Sequence, residues 1–145
     1  MATGLQISVR KKLLARLKTD ANLTALVPSV SIYSQRVPAN PGWPFVMLGP
    51  PTTIGLRATC VRGGTVSLGV HAFANHRVSG GDVVETAEDH AGRIGAAIEA
   101  AIDGAMLAMT GGTIKVRLSD MRLLVDGGES DAFHYVCNAN CRVLA

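Results

Sequence analysis

Hydrophobic residues recur at two different spacings along the chain. Between Leu5 and Asp20 they fall about every four residues with basic side chains opposite, which predicts an amphipathic helix. Between Val66 and Ala74, and again between Tyr135 and Val143, every second residue is apolar, which predicts half-buried strands. The chain therefore combines helices with a sheet.

A second helix is predicted over about residues 82–103. Asp82 follows a Ser-Gly-Gly break and is placed as the N-cap, with Glu85 in the capping-box position three residues later. Further acidic residues lie in the first turns, where the helix dipole favours them. The predicted buried stripe of this helix comprises Val83, Ala87, Ala91, Ile94, Ala97, Ile98, Ala101 and Ile102.

The residue pattern in the C-terminal third of the chain predicts an antiparallel hairpin over about residues 113–144. Its two strands flank the turn-forming residues 126–131. Shorter strands are expected at Ser29–Arg36 and Phe45–Leu48, and the Pro50-Pro51 pair limits the next segment to an edge, a bend or a loop. The predicted fold class is α+β, with a mainly antiparallel sheet of four to five strands and two amphipathic helices packed on one face.

Length and composition indicate a single domain, residues 1–145. Hydrophobic residues make up 48% of the chain and charged residues 17%, which argues against disorder. Val37–Leu56 carries no charge, but its prolines exclude a membrane helix. Met1–Leu17 lacks the uninterrupted apolar region of a secretory signal, so we expect no membrane contact and a location in the cytosol.

The net charge of +3 is unevenly distributed. Basic residues crowd the first helix, acidic residues crowd the second, and residues 21–81 contain four arginines but no acidic side chain. This asymmetry is compatible with complementary packing within one chain, docking between copies, or a basic surface near nucleic acid. Ordinary solvated helix faces would produce the same pattern.

The residue patterns predict no catalytic, cofactor or metal site. His71, His76 and His90 with Asp89 lack metal-ligand spacing, and a triad of Cys60, His71 and Asp82 has nothing that marks an activated nucleophile. The Gly63-Gly64 and Gly111-Gly112 pairs lack the Lys-Ser/Thr of a phosphate loop. We therefore expect no enzymatic activity.

The three cysteines are expected to be free thiols. Cys137 and Cys141 on one strand would lie about 13 Å apart, too far for a disulfide bridge, and Cys60 has no evident partner. The opposite face of the same strand is polar, which favours a solvated or interface surface over an active site. That polar face comprises His134, Asn138, Asn140 and Arg142.

Several segments together resemble the tail-terminator, or tail-completion, proteins of long-tailed bacteriophages and related gene transfer agents. The leucine-rich helix VRKKLLARLKTDANLTALV precedes SIYSQRVPANPGWPFVMLGP, where the family has a short strand and a Pro-rich crossing. The similarity continues through TVSLGVHAFANH, the helix GGDVVETAEDHAGRIGAAIEAAI and the closing strands. It covers nearly the whole chain, although the loop LRATCVRGG is particular to this sequence.

The resemblance implies a structural virion protein of the tail and neck. Such proteins form a ring, usually of six copies, that caps the tail tube, terminates its polymerisation and forms the tail side of the head–tail joint, with DNA passing through the bore. The implied partners are other copies of the chain, the tail tube protein, the head-completion or connector protein and the tape measure protein. A net charge of +3 is compatible with passing DNA.

If the chain forms a ring, its oppositely charged segments are candidates for the subunit interface. These candidates are Arg10, Lys11 and Arg16 on one side and Asp82, Glu85 and Glu88 on the other. Arg57 and Arg62, on a glycine-bounded loop, are candidates for contact with the tube or the bore. The alternatives are another neck or tail protein, such as a head-completion or tube subunit, and a small DNA-binding protein.

Overall fold

The computed structural model describes residues 2–57, 62–127 and 132–144. The helices are α1 (Ala2–Thr19), α2 (Ala21–Thr24) and α3 (Ala87–Ile102), and a 3-10 turn spans Ser29–Ser31. The strands are β1 (Ile32–Tyr33), β2 (Phe45–Leu48), β3 (Thr52–Arg57), β4 (Arg62–Asn75), β5 (Arg77–Ser79), β6 (Asp82–Glu85), β7 (Met106–Met109), β8 (Gly112–Val125) and β9 (Ala132–Leu144).

Among the described residues, seven strands form one mixed sheet. Its order is β1-β2-β4-β9-β8-β7, and β3 pairs with β4 next to β2. The β1–β2 pair is parallel and the other pairs are antiparallel. The prediction of four to five strands was too low because β3 and β7 are short edge strands, whose few residues carry little periodic signal. The fold is α+β as predicted.

The predicted closing hairpin is present as β8 and β9. The C-terminal strand β9 lies in the centre of the sheet, because β4 pairs with its other edge along its whole length. Alternate residues of β4 and β9 are buried on one face, as the period of two predicts. A β-bulge between Ser119 and Arg122 interrupts the β8–β9 ladder, and Asp120 there adopts a φ of 54°.

Both long helices pack against the buried face of the sheet. α1 contributes Val9, Leu13 and Leu17 to the core, and α3 contributes an isoleucine row at 94, 98 and 102. Helix α3 approaches the sheet closely at Gly95, where an added Cβ would lie 2.4 Å from Cδ2 of Tyr135. A single continuous core therefore supports the sheet, and the opposite face of the sheet has no helix covering it among the described residues.

The second helix begins later than the sequence predicts. Asp82–Glu85 forms β6, which pairs with β5 in a separate two-stranded hairpin, and Thr86 caps α3 by accepting a hydrogen bond from the Asp89 amide. Gly80 and Gly81 have positive φ values of 60° and 87°, so they form the hairpin turn. The two valines after this turn favour a strand, and the capping prediction for Asp82 is wrong for that reason.

Candidate assembly surfaces

The three basic interface candidates on α1 differ in their exposure and in their contacts. The Arg16 Nε donates a hydrogen bond to the Ala101 carbonyl at 3.0 Å, so this side chain ties α1 to the end of α3. Arg10 is half-buried with its Nη1 3.5 Å from Ser34 Oγ, and Lys11 is exposed. Lys11 therefore remains available to an external partner, whereas Arg10 and Arg16 make contacts within the chain.

The acidic candidates do not share one helix. Glu85 ends β6 and binds Arg93 in a bidentate pair, with N–O distances of 2.9 and 2.8 Å, and Arg77 lies 3.3 Å away. The Arg93 hydrogen bonds hold the pKa of Glu85 below its ordinary value. This cluster fastens the β5–β6 hairpin to α3. Asp82 on the hairpin and Glu88 in the first turn of α3 are exposed.

Arg57 and Arg62 lie at facing positions where β3 and β4 end. The register pairs them directly across the ladder, and the intervening residues 58–61 lie outside the described residues. The sequence assigned both arginines to the loop itself, whereas they end the strands that lead into it.

The uncovered face of the sheet carries a polar ladder across its three long strands. Ser67 donates to Asn140 Oδ1 at 3.0 Å, and Asn140 Nδ2 donates to Ser119 Oγ at 2.9 Å. Further along, the rings of His71 and His134 approach to 2.8 Å between Nδ1 and Nε2, and His134 stacks on Phe73. The predicted polar face of β9 is thus organised by cross-strand hydrogen bonds.

Burial lowers the pKa of both histidines in this pair. The half-buried His71 is affected by desolvation, and His134 by desolvation and then by the charge of His71. With a 2.8 Å contact between two ring nitrogens, one ring donates and the other accepts, so one acceptor nitrogen must be unprotonated. The pair is therefore a neutral structural contact near pH 7.

The other histidines considered as metal ligands have separate places. His76 Nδ1 accepts a hydrogen bond from the Ala87 amide, and His90 Nδ1 lies 2.9 Å from the Asn75 carbonyl oxygen. Within residues 2–57, 62–127 and 132–144, no three His, Cys, Asp or Glu side chains are grouped as metal ligands would be. Over the same ranges, no helix is long and apolar enough to cross a membrane.

Two of the cysteines are buried thiols, as predicted. Burial raises the pKa of Cys137 to about 11 and that of Cys141 to about 12, so neither is a reactive thiolate near neutral pH. Cys60, which was considered above in a triad with His71 and Asp82, lies outside the described residues.

Two strand segments each expose three or more large apolar side chains, which sequence reasoning missed. On the β5–β6 hairpin these are Val78, Val83 and Val84, all at least 55% exposed. At the end of β8 they are Met121, Leu123, Leu124 and Val125, between 37% and 64% exposed. The sequence signal was the consecutive apolar residues, Val83-Val84 and Leu123–Val125. A strand with one solvated face would alternate apolar with polar residues instead.

A family model described as "Tail completion protein gp17" matches residues 11–144. The chain belongs to this tail-completion family. A solved structure from a gene transfer agent, titled "Virion of native gene transfer agent (GTA) particle", has the same fold, with a TM-score of 0.76 at 19% sequence identity. The match covers 97% of this chain and 98% of that one. No curated protein matches the sequence.

Membership in the tail-completion family makes the chain a structural protein of the virion tail. The resemblance found from the sequence is thereby confirmed. The charged candidates, by contrast, are located by the structure without being assigned a partner. Lys11, Asp82 and Glu88 are exposed, whereas Arg10, Arg16 and Glu85 make the internal contacts described above.

Proposed function

We propose that this tail-completion protein caps the tail tube as a ring of copies, six by the family resemblance, and terminates tube polymerisation. In this role it forms the tail side of the head–tail joint, and DNA passes through its bore. The observation that carries the proposal is the family match over residues 11–144.

The surface of the chain supports an assembly role. Two β elements expose large apolar side chains, and such patches on a protein of this size mark contacts with other proteins. A head-to-tail contact between two different surfaces closes into a ring when its rotation is suitable. The partners in this proposal are further copies, the tail tube protein, the head-completion or connector protein and the tape measure protein.

The test of this function is deletion of the gene followed by electron microscopy of the lysate. We expect unjoined heads and tails, with tubes of irregular length, and restoration by the wild-type gene in trans. Normally joined particles without the protein would refute the tail-terminator role. A lysate that contains heads but no tail tubes would instead indicate a tube subunit.

Charge reversal tests the proposed electrostatic part of the subunit interface. We expect Lys11→Glu to weaken self-association and Glu88→Lys in the partner copy to restore part of it. Exposed ion pairs contribute about 0.2–1 kcal/mol each, so the effect per contact is small and is multiplied around a ring. Lys18→Glu on the same helix is the matched control. Equal association of all variants would exclude this pairing.

The arginines that flank residues 58–61 test the bore contact. We expect the double variant Arg57→Ala, Arg62→Ala to retain assembled particles and to lose DNA retention or tube attachment, measured as the fraction of DNA-filled, tailed particles. An unchanged fraction would remove both arginines from this role.

A further inference from the structure

The uncovered face of the sheet carries three basic side chains at one end of its long strands. Lys115 and Arg117 on β8 and Arg142 on β9 are all exposed. Lys115 and Arg142 each lie between two buried residues, and Arg117 lies two positions beyond Lys115. Successive side chains of a strand point to opposite faces, so all three basic side chains lie on the face that no helix covers. These three residues form the basic patch.

The strand register brings the members of the basic patch together. Lys115 and Arg142 are directly opposed in the β8–β9 ladder, and Arg117 faces Asn140, the preceding residue of β9 on the same face. Like charges at directly opposed positions destabilise a sheet. Among the described residues, the ion pairs are those of Glu85 on the β5–β6 hairpin, so none of them neutralises the basic patch.

Acidic side chains are scarce around the basic patch. Strands β3, β4, β7 and β9 contain no Asp or Glu. Strand β8 contains one, Asp120, which lies in the bulge beyond Ser119 and is followed by Arg122. Asp103 accepts a hydrogen bond from the Leu118 amide of β8, but it ends α3, which packs on the covered face. This part of the uncovered face is therefore positively charged with all neighbouring acidic groups counted.

The exposed apolar side chains near the basic patch lie at its borders. They are Ile54 on β3, Met106 on β7 and Leu144 at the end of β9. One cross-strand row runs from Ile54 through Thr65, Arg142 and Lys115 to Met106, with the two basic residues inside it. Surfaces that dock a folded protein have the opposite arrangement, an apolar centre and a polar rim. A basic centre favours an anionic partner such as phosphate.

The other side chains at the centre of this region are hydroxyls and amides. Thr65, Ser67 and Asn140 lie beside the basic patch on the same face, and the aromatic rings of that face, such as Phe73, lie further along the strands. Base stacking requires aromatic platforms, whereas Lys, Arg, Ser, Thr and Asn side chains contact phosphates irrespective of sequence. The composition of the basic patch therefore matches a nucleic-acid backbone.

We propose that the basic patch contacts the phosphate backbone of duplex DNA without regard to its sequence. This inference rests on the proposed bore and specifies that the uncovered face of the sheet, rather than either long helix, is turned toward the DNA. Arg57 and Arg62 end β3 and β4 at the same end of the sheet. A few phosphate contacts per copy give weak, salt-dependent binding, which is compatible with DNA that moves past the protein.

The test measures the salt dependence of DNA binding by the full-length protein. Fluorescence anisotropy of a labelled duplex of about 30 bp gives the affinity at salt concentrations from about 50 to 200 mM. The patch variant is Lys115→Gln, Arg142→Gln. The matched control is Lys12→Gln, Lys18→Gln, since these lysines of α1 are also exposed and the control loses the same charge. Glutamine keeps a long polar side chain, and circular dichroism checks that each variant is folded.

We expect the wild type to bind the duplex and the control to keep the wild-type slope of log affinity against log salt. The patch variant should have a slope about 1.8 shallower, because each lost phosphate contact removes about 0.9. Its affinity loss over a fourfold rise in salt should therefore be about 12-fold smaller than that of the wild type. Adding Arg117→Gln should make the slope shallower by about a further 0.9.

Three results would overturn the inference. A patch variant with the same slope as the control would place the DNA contacts elsewhere, and a wild type that binds no duplex at about 50 mM salt would exclude them. Poly-glutamate is the second probe: if the protein bound it but not the duplex, and the patch variant lost that binding, the basic patch would belong to an acidic protein partner. None of these results bears on tail termination, which the deletion phenotype decides separately.

Discussion

Gly95 of α3 provides a sharp test of how closely the helix packs on the sheet. A Cβ at this position would lie 2.4 Å from Cδ2 of Tyr135 and 2.7 Å from Cε2 and Cγ of the same ring. Tyr135 is only 5% exposed, so the ring cannot move into solvent. Overpacking of this kind costs about 1–3 kcal/mol, whereas replacing glycine by alanine inside a helix contributes about 0.8–1.0 kcal/mol of stability.

A clash with a buried ring lies at the upper end of the overpacking range, about 3 kcal/mol. After a gain of about 1 kcal/mol in helix propensity, we expect Gly95→Ala to lower the free energy of unfolding by about 2 kcal/mol. Gly92→Ala is the matched control on the same helix, because its added Cβ would meet Leu123 Cδ2 at an ordinary 3.7 Å. Without a clash, the control should be stabilised by about 0.5–1 kcal/mol.

Urea unfolding at one fixed protein concentration measures both variants, because association would otherwise contribute to apparent stability. In thermal unfolding the two variants should differ by about 5–12 °C, since 1 kcal/mol corresponds to about 2–4 °C at this chain length. If Gly95→Ala were as stable as Gly92→Ala, the close approach between α3 and β9 described here would be wrong.

Two further predictions concern titratable groups on the sheet. The folded pKa values of His71 and His134 lie below the ordinary value of 6.5, so just below that pH the unfolded chain binds more protons than the folded one. The stability contributed by the pair should therefore be fully present above pH 6.5 and fall on acidification. We expect His134→Phe to flatten this dependence in thermal melts between about pH 7.5 and 5.5. A pH profile that His134→Phe leaves unchanged would contradict this. In a Cys60→Ser variant at pH 8, Cys137 and Cys141 of the folded protein should react with iodoacetamide at least about 100-fold more slowly than in the protein unfolded by urea. Mass spectrometry follows the labelling. Rapid labelling of the folded protein would show that the thiols are accessible.

The long elements of the fold could be predicted from the sequence because their periodicity extends over many residues. The first helix, predicted at 5–20, spans Ala2–Thr19, and the closing hairpin, predicted at 113–144, has its strands at Gly112–Val125 and Ala132–Leu144. Their buried stripes also agree with the core. Strong amphipathic patterns therefore specified both their existence and the face they bury.

Short elements depended on tertiary pairing that local patterns do not encode. Asp82 and Glu85 match a capping box as well as Thr86 does, and only the hairpin turn at Gly80-Gly81 decides that α3 begins after Thr86. Strand β7 has four residues and is defined by its pairing with β8. The charged interface candidates could be found from composition, but the internal contacts of Arg16 and Glu85 required the structure.

The central position of β9 has a consequence for how the chain acquires its fold. Its pairing with β4 joins residues as far apart as Gly63 and Leu144, and such non-local contacts slow folding. On a ribosome, β4 is complete at residue 75 while β9 begins only at residue 132, an interval of roughly 3–11 s at ordinary elongation rates. Until β9 is synthesised, the strand that covers this edge of β4 does not exist, so the sheet is completed only when the C-terminal residues have been made.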